Sequence, residues 1–203
     1  MAGHDQETDP NARWLSLSGL LPVAIAAALF VMLWPALPAI SAGETLRFVW
    51  EWVPSLGIAL SFYVDGLSLT FGLLITGIGA LVFLYASKYL QGHKHFSRFM
   101  LFLTLFMLSM LGLVLADNLL TLFVFWELTT ITSYLLIGFD HSTAKARRSA
   151  LQALLLTGAG ALALLAGIIL IGTAAGTFEL SELRAQGEVL QEHALYLPIL
   201  IRS

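Results

Sequence analysis

The chain has 203 residues, of which 58% are hydrophobic and only 11% charged, against about 25% charged in a typical soluble protein; a single water-soluble core cannot absorb that load. Cys is absent, which excludes a disulfide framework, thiol catalysis and Cys-ligated zinc or iron–sulfur sites. A net charge of −3, from 10 Lys and Arg against 13 Asp and Glu, leaves no basic patch of the size that nucleic-acid binding requires.

The apolar residues are gathered into runs. A helix needs about 20 apolar residues to cross roughly 30 Å of hydrocarbon, and this predicts an all-α polytopic membrane protein of about five spans, near residues 15–38, 66–87, 99–116, 119–139 and 149–176. The polar residues 1–13 are predicted to be disordered on the cytoplasmic side. The first run is read as a span rather than a cleaved signal, because its upstream region is acidic (Asp5, Glu7, Asp9) and its apolar stretch is too long for a signal core. Residues 44–64 alternate in two runs, Leu46, Phe48, Trp50, Trp52 and then Ile58, Leu60, Phe62, Val64, about Pro54-Ser55-Leu56-Gly57, which predicts an extracytoplasmic β-hairpin between the first and second spans.

Asp65 before Gly66 reads as a helix N-cap. Gly72, Gly77 and Gly79 on the second span permit close helix packing. The third and fourth spans are joined only by Asp117-Asn118, which can cap the following helix and forces an antiparallel hairpin. On the fifth span Ala159, Ala163 and Gly167 recur every four residues, and Gly172 and Gly176 repeat the spacing, a pattern that lets helix backbones approach. Residues 179–203 read as an interfacial helix followed by the start of a further helix.

Lys and Arg in short loops set the orientation. Arg13, Lys88, Lys94, Arg98, Lys145, Arg147 and Arg148 fall on one side, against Arg47 and Arg184 on the other, so the N-terminus and both basic loops are predicted to be cytoplasmic. The His93-Lys94-His95 cluster is part of the same topology signal.

Glu127 interrupts the fourth span near its centre, where insertion of a carboxylate costs about 2.5–3.5 kcal/mol. Such a group must be protonated, paired or watered. Thr130 and Tyr134 follow at i+3 and i+7, so a supporting polar face is predicted to point inward with it. A carboxyl in that setting can hold a proton while desolvated and release it when a cation approaches, which is the chemistry of a proton relay. No Lys or Arg accompanies Glu127 at depth, so its cationic partner is sought elsewhere. The sequence shows no phosphate-cradling glycine loop, no metal-ligand spacing and no nucleophile–base constellation, so no cofactor, metal or covalent catalysis is predicted.

Several stretches resemble a known family. Phe62-Tyr63-Val64-Asp65-Gly66-Leu67-Ser68-Leu69, Leu74-Ile75-Thr76-Gly77-Ile78-Gly79 with Tyr85, Leu115-Ala116-Asp117-Asn118-Leu119, and Phe125-Trp126-Glu127-Leu128-Thr129 with Ser133-Tyr134-Leu135-Leu136-Ile137-Gly138-Phe139 are similar to the antiporter-like subunits shared by respiratory complex I and the multisubunit Mrp sodium/proton antiporters. Trp50-Glu51-Trp52-Val53-Pro54-Ser55-Leu56-Gly57-Ile58, Trp126-Glu127 and Gly176-Thr177-Phe178 resemble the large A subunit of the Mrp antiporter more closely, over roughly residues 43–201.

The resemblance implies a secondary transporter subunit rather than an enzyme, exchanging a monovalent cation, Na+, for protons, with other membrane subunits and the bilayer as partners. It implies that the glutamate matching Glu127 pairs with a lysine two helices later, on a helix beyond residue 203. One apolar helix precedes the hairpin where the family would have two. Two other readings stay open: a proton-pumping subunit of an NADH-quinone oxidoreductase, and a truncated, non-transporting membrane scaffold.

Overall fold

The computed structural model describes residues 17–53, 58–139 and 143–187. Among the described residues four helices are long and apolar enough to cross a membrane: α3 (Gly66–Tyr89), α4 (Phe96–Leu115), α5 (Leu119–Ile137) and α6 (Ala144–Ala175). They are preceded by α1 (Leu17–Leu33), the short α2 (Ala36–Ser41) and strands β1 (Leu46–Val53) and β2 (Ile58–Val64), and followed by α7 (Leu180–Ala185). The apolar run anticipated as the first span is divided at Trp34-Pro35, where proline supplies no N–H to continue the ladder. The anticipated disorder of residues 1–13, the turn at 54–57 and the further helix after residue 187 lie outside the described residues.

The hairpin forms as its alternation predicts, with Leu46 opposite Val64, Phe48 opposite Phe62 and Trp50 opposite Leu60. An irregularity between Glu51 and Val53 inserts Trp52 as an extra residue near the turn. The free edge of β2 is extended by Ala116, which bridges Phe62, and the next residues continue the pattern, with Asn118 bridging Glu179. Extended backbone from four parts of the chain therefore meets at one end of the bundle.

Helix ends are set locally. The Asp65 carboxylate accepts from Ser68 N (2.8 Å) while Asp65 N donates to Ser68 Oγ (2.8 Å), a reciprocal capping box that starts α3. Asn118 Oδ1 accepts from Leu120 N and Thr121 N and starts α5. Gly176 takes the left-handed conformation (φ 73°) that ends α6.

The interior is a small apolar cluster of Ala26, Phe83, Ala86, Met100 and Met107, contributed by α1, α3 and α4. The glycines of α3 permit the anticipated close approach. A Cβ at Gly77 would lie 3.1 Å from the Phe30 ring, and one at Gly79 2.9 Å from Met107 Sδ. Gly112 of α4 is tighter still, since a Cβ there would collide with the ring of Phe125 on α5. The stripe on α6 behaves differently. Ala159 and Ala163 are exposed and Gly167 meets nothing within 4 Å among the described residues, whereas Gly172 is covered by the ring of Phe178.

These contacts predict that Gly112→Ala costs about 1–3 kcal/mol through overpacking against the Phe125 ring. Gly158→Ala, at a position with nothing within 4 Å, should leave stability unchanged or slightly raised. Thermal unfolding of the two variants in one detergent separates them, and Phe125→Leu should restore much of the Gly112→Ala loss.

Candidate functional site

Helix α5 carries Glu127, and Asn118 fixes where that helix begins. Counting from Leu119, Glu127 lies roughly 12 Å along a helix of roughly 28 Å, near the middle of the 19-residue element. Glu127 is half-buried, and its Oε1 is fully buried without a hydrogen-bond partner among the described residues. A desolvated acceptor left unpaired costs about 1–3 kcal/mol. None of the ion pairs formed by the described residues reaches it.

The anticipated polar face is only partly assembled. Thr130 is buried, but its Oγ1 donates to Trp126 O (3.3 Å) within its own helix. Thr129 Oγ1 donates to the same carbonyl (2.7 Å) and Thr132 Oγ1 to Leu128 O (2.7 Å). Tyr134 is half-buried one turn further on. The spacing thus places Thr130 and Tyr134 beside Glu127, yet neither hydroxyl satisfies Oε1. In an apolar helix a threonine finds its nearest acceptor in its own backbone.

A second polar site was not anticipated. At the end of the bundle that carries the hairpin, Arg47 of β1 pairs with Asp117 (Nε to Oδ2, 3.1 Å) and Glu179 (Nη2 to Oε2, 3.1 Å), with Glu182 at 4.0 Å. Asp117 is 2% exposed and also accepts from Ser181 N (2.8 Å) and Ser181 Oγ (2.7 Å). Glu179 accepts from Ser61 Oγ (2.6 Å) and Asn118 Nδ2 (2.8 Å). Backbone bonds lock the same segments, Leu180 N to Asp117 O (2.7 Å), Leu119 N to Phe178 O (2.8 Å) and Asp117 N to Ser61 O (2.9 Å). Alongside, Arg184 pairs with Asp65 (3.5 Å). The joint between α4 and α5 is therefore clasped by the hairpin on one side and by the segment after α6 on the other.

The charges are mutually adjusted. Desolvation works against the charged form of Arg47, but the Glu179 hydrogen bond and the charges of Asp117, Glu179 and Glu182 outweigh it and raise the guanidinium above its ordinary value. Partial burial likewise works against ionisation of Asp65, yet hydrogen bonds from Ser68 and the charge of Arg184 hold its carboxyl below the usual 3.8. The sequence signal for this clasp is a pair of cations on an otherwise cation-poor side, Arg47 and Arg184, each explained by topology alone. Local spacing makes Asp117 a candidate cap; in the structure Asn118 does the capping and Asp117 holds the clasp.

The comparisons with known proteins agree with this architecture. Residues 50–100 match the family model described as NADH-ubiquinone oxidoreductase (complex I), chain 5 N-terminus, and residues 116–201 match NADH:quinone oxidoreductase/Mrp antiporter, TM. A Staphylococcus haemolyticus protein named as antiporter subunit mnhA2 is 42% identical over 166 residues, 81% of this chain and 21% of that one. A Rhizobium meliloti protein named as the A/B component of a K(+)/H(+) antiporter is 43% identical over 178 residues, 88% of this chain and 18% of that one. A component of the Mrp complex from Dietzia sp. superposes with a TM-score of 0.66 at 37% identity, covering 81% of this chain and 19% of that one. The chain spans about a fifth of the length of the curated relatives it matches.

Two outcomes follow from the clasp. Arg47→Met leaves Asp117 as an uncompensated buried carboxylate and should destabilise by about 3 kcal/mol, the low end for breaking such a pair because Arg47 itself is 39% exposed. Asp65 has a lowered pKa, so its stabilising contribution is fully present above its ordinary pKa and is lost as pH falls through the lowered value. Unfolding measured from pH 7 downward should therefore show an acid-side loss that Asp65→Asn flattens.

Proposed function

Because the chain belongs to the antiporter-like membrane subunits shared by NADH:quinone oxidoreductase and the Mrp antiporters, we propose that it is the N-terminal part of the large A subunit of an Mrp-type cation/proton antiporter. It then works in transport and not as an enzyme, in a multi-pass assembly with other membrane subunits in the cell membrane. The exchanged ions are a proton and a monovalent cation, with Na+ as the primary reading. The K(+)/H(+) name carried by the Rhizobium meliloti relative makes potassium the direct competitor.

Glu127 is the proton-handling residue in this reading. The observation that carries it is the buried Oε1 without a hydrogen-bond partner among the described residues, at the middle of a membrane-length helix. An intramembrane carboxylate is costly and is kept for ion pathways. Taking up a proton removes its charge; approach of a cation restores the ionised form. About four-fifths of each relative's length lies outside the matched part, and the cation that pairs with Glu127 is assigned to that remainder. Thr130 and Tyr134 line the same helix face, where reorientation of either hydroxyl would supply a donor.

Orientation follows from the charges. Lys88, Arg98, Lys145, Arg147 and Arg148 lie at the helix ends remote from the hairpin, while Arg47 and Arg184 are engaged with carboxylates at the opposite end. The hairpin end is therefore assigned to the outer face and the N-terminus to the cytoplasm.

The match of residues 50–100 to a complex I family model favours one second reading, a proton-translocating subunit driven by redox chemistry on other chains. The experiment is cation-driven collapse of a pH gradient in everted vesicles carrying the complete complex. Glu127→Gln should reduce exchange at least ~100-fold, the order of effect expected for loss of a group that transfers protons. Glu127→Asp should retain a measurable part. Normal exchange in Glu127→Gln sinks the relay assignment, and exchange that requires a quinone reductant selects the second reading.

A further inference from the structure

Between α3 and α4 runs an apolar groove of about 400 Å³ that opens along the side of the bundle. Leu74, Ile78 and Val82 of α3 form one wall and Leu103, Phe106 and Met110 of α4 the other. Gly79 keeps the floor deep, since a Cβ there would run into Met107 Sδ. Ile78 is 55% exposed. The stripe Leu74, Ile78, Val82 continues in helical register to Tyr85 and Tyr89, both exposed and stacked on each other at 5.5 Å. Lys88 lies in that same last turn of α3, Lys94 follows in the loop, and Arg98 lies in the first turn of α4. No Asp or Glu occurs anywhere from Gly66 to Ala116.

We propose that this groove binds one acyl chain of an anionic phospholipid, with the lipid phosphate held at the Tyr85, Tyr89 and Lys88 end. One amphiphile meets both halves of the site. Its chain fills an apolar slot at bilayer depth, and its headgroup meets tyrosine hydroxyls at the height where amphipathic rings reside, beside cations that form no ion pair among the described residues. A transmembrane helix laid in the groove would cover the apolar walls but press Lys88 and two phenol groups against hydrocarbon. A free inorganic anion would use the rim and leave the groove empty. Juxtamembrane cations of this kind contribute about 1 kcal/mol each towards anionic lipid, which is about fivefold in occupancy.

The test is photolabelling of the complete complex in phosphatidylcholine vesicles that contain phosphatidylglycerol bearing a diazirine on its acyl chain, with the same diazirine on phosphatidylcholine as the comparison. Peptides from residues 71–110 should carry about fivefold more label from the phosphatidylglycerol probe. Ile78→Trp, which fills the groove from an exposed position, should abolish that label and leave labelling elsewhere unchanged. Lys88→Gln, which leaves the groove open, should keep the label and remove the headgroup preference. Equal labelling of Ile78→Trp and the parent, or a label without headgroup preference in the parent, overturns the proposal. So does a parent groove that takes no label, the outcome expected if a protein helix covers it.

Discussion

Everything at the hairpin end of this protein depends on keeping one carboxylate out of water. Asp117 sits in a two-residue joint between α4 and α5, is 2% exposed, and is held by Arg47 from one side and Ser181 from the other. A buried charge is tolerable only when paired and hydrogen-bonded, so the joint cannot close until the hairpin and the segment after α6 have both arrived. That requirement draws together residues far apart in the chain, as Arg47 and Glu179 are at 132 positions. It also explains why Ala116 and Asn118 adopt extended backbone and bridge to Phe62 and Glu179, since the strand-like pairings satisfy the backbone groups that the break between two helices exposes.

The clasp has a consequence further along α5. Asn118 spends its side-chain oxygen on the first N–H groups of α5 and its nitrogen on Glu179. The start of α5 is thereby pinned to the same network, and so is the depth of every side chain along it. In the proposed transport reading the position of Glu127 is thus set at the outer surface, by residues that never touch it. Close contact between Gly112 and Phe125 fixes the rotation of α5 against α4 in the same way that the cap fixes its height.

Much of this was legible in the sequence, and the parts that were not share a cause. Four of the five apolar windows coincide with membrane-length helices to within a few residues at most ends, because hydrocarbon thickness imposes a length that composition reveals directly; the first window is divided at Trp34-Pro35. Strict alternation gave the hairpin, while its register, with Phe48 opposite Phe62, depends on the irregularity between Glu51 and Val53 that alternation does not reveal. Asp65 and Asn118 were recognisable as caps because capping is local, acting over three residues. The Arg47–Asp117–Glu179 clasp was invisible because its members lie far apart and each had a sufficient local explanation. The small-residue stripe on α6 was visible, but only Gly172 has a covering side chain among the described residues. A pattern states that a helix can be approached closely without stating by what.

Thr130 and Tyr134 carry the same lesson at the middle of α5. Their spacing places them with Glu127, while the direction of a hydroxyl is decided by competition among acceptors, and for Thr130 the Trp126 carbonyl wins over a carboxyl one turn away. The result is an asymmetry between the two ends of α5's polar chemistry. At the clasp, carboxylates, amide and hydroxyls form a network in which each group meets several others. At the middle of α5 an acceptor oxygen is buried without a hydrogen-bond partner among the described residues. Proteins seldom leave such an atom unsatisfied without a use for it. A group that must change its proton or its partner during a transport cycle is one that a permanent hydrogen bond would disable, so the very contact that would stabilise the fold is withheld where the proposed function needs freedom.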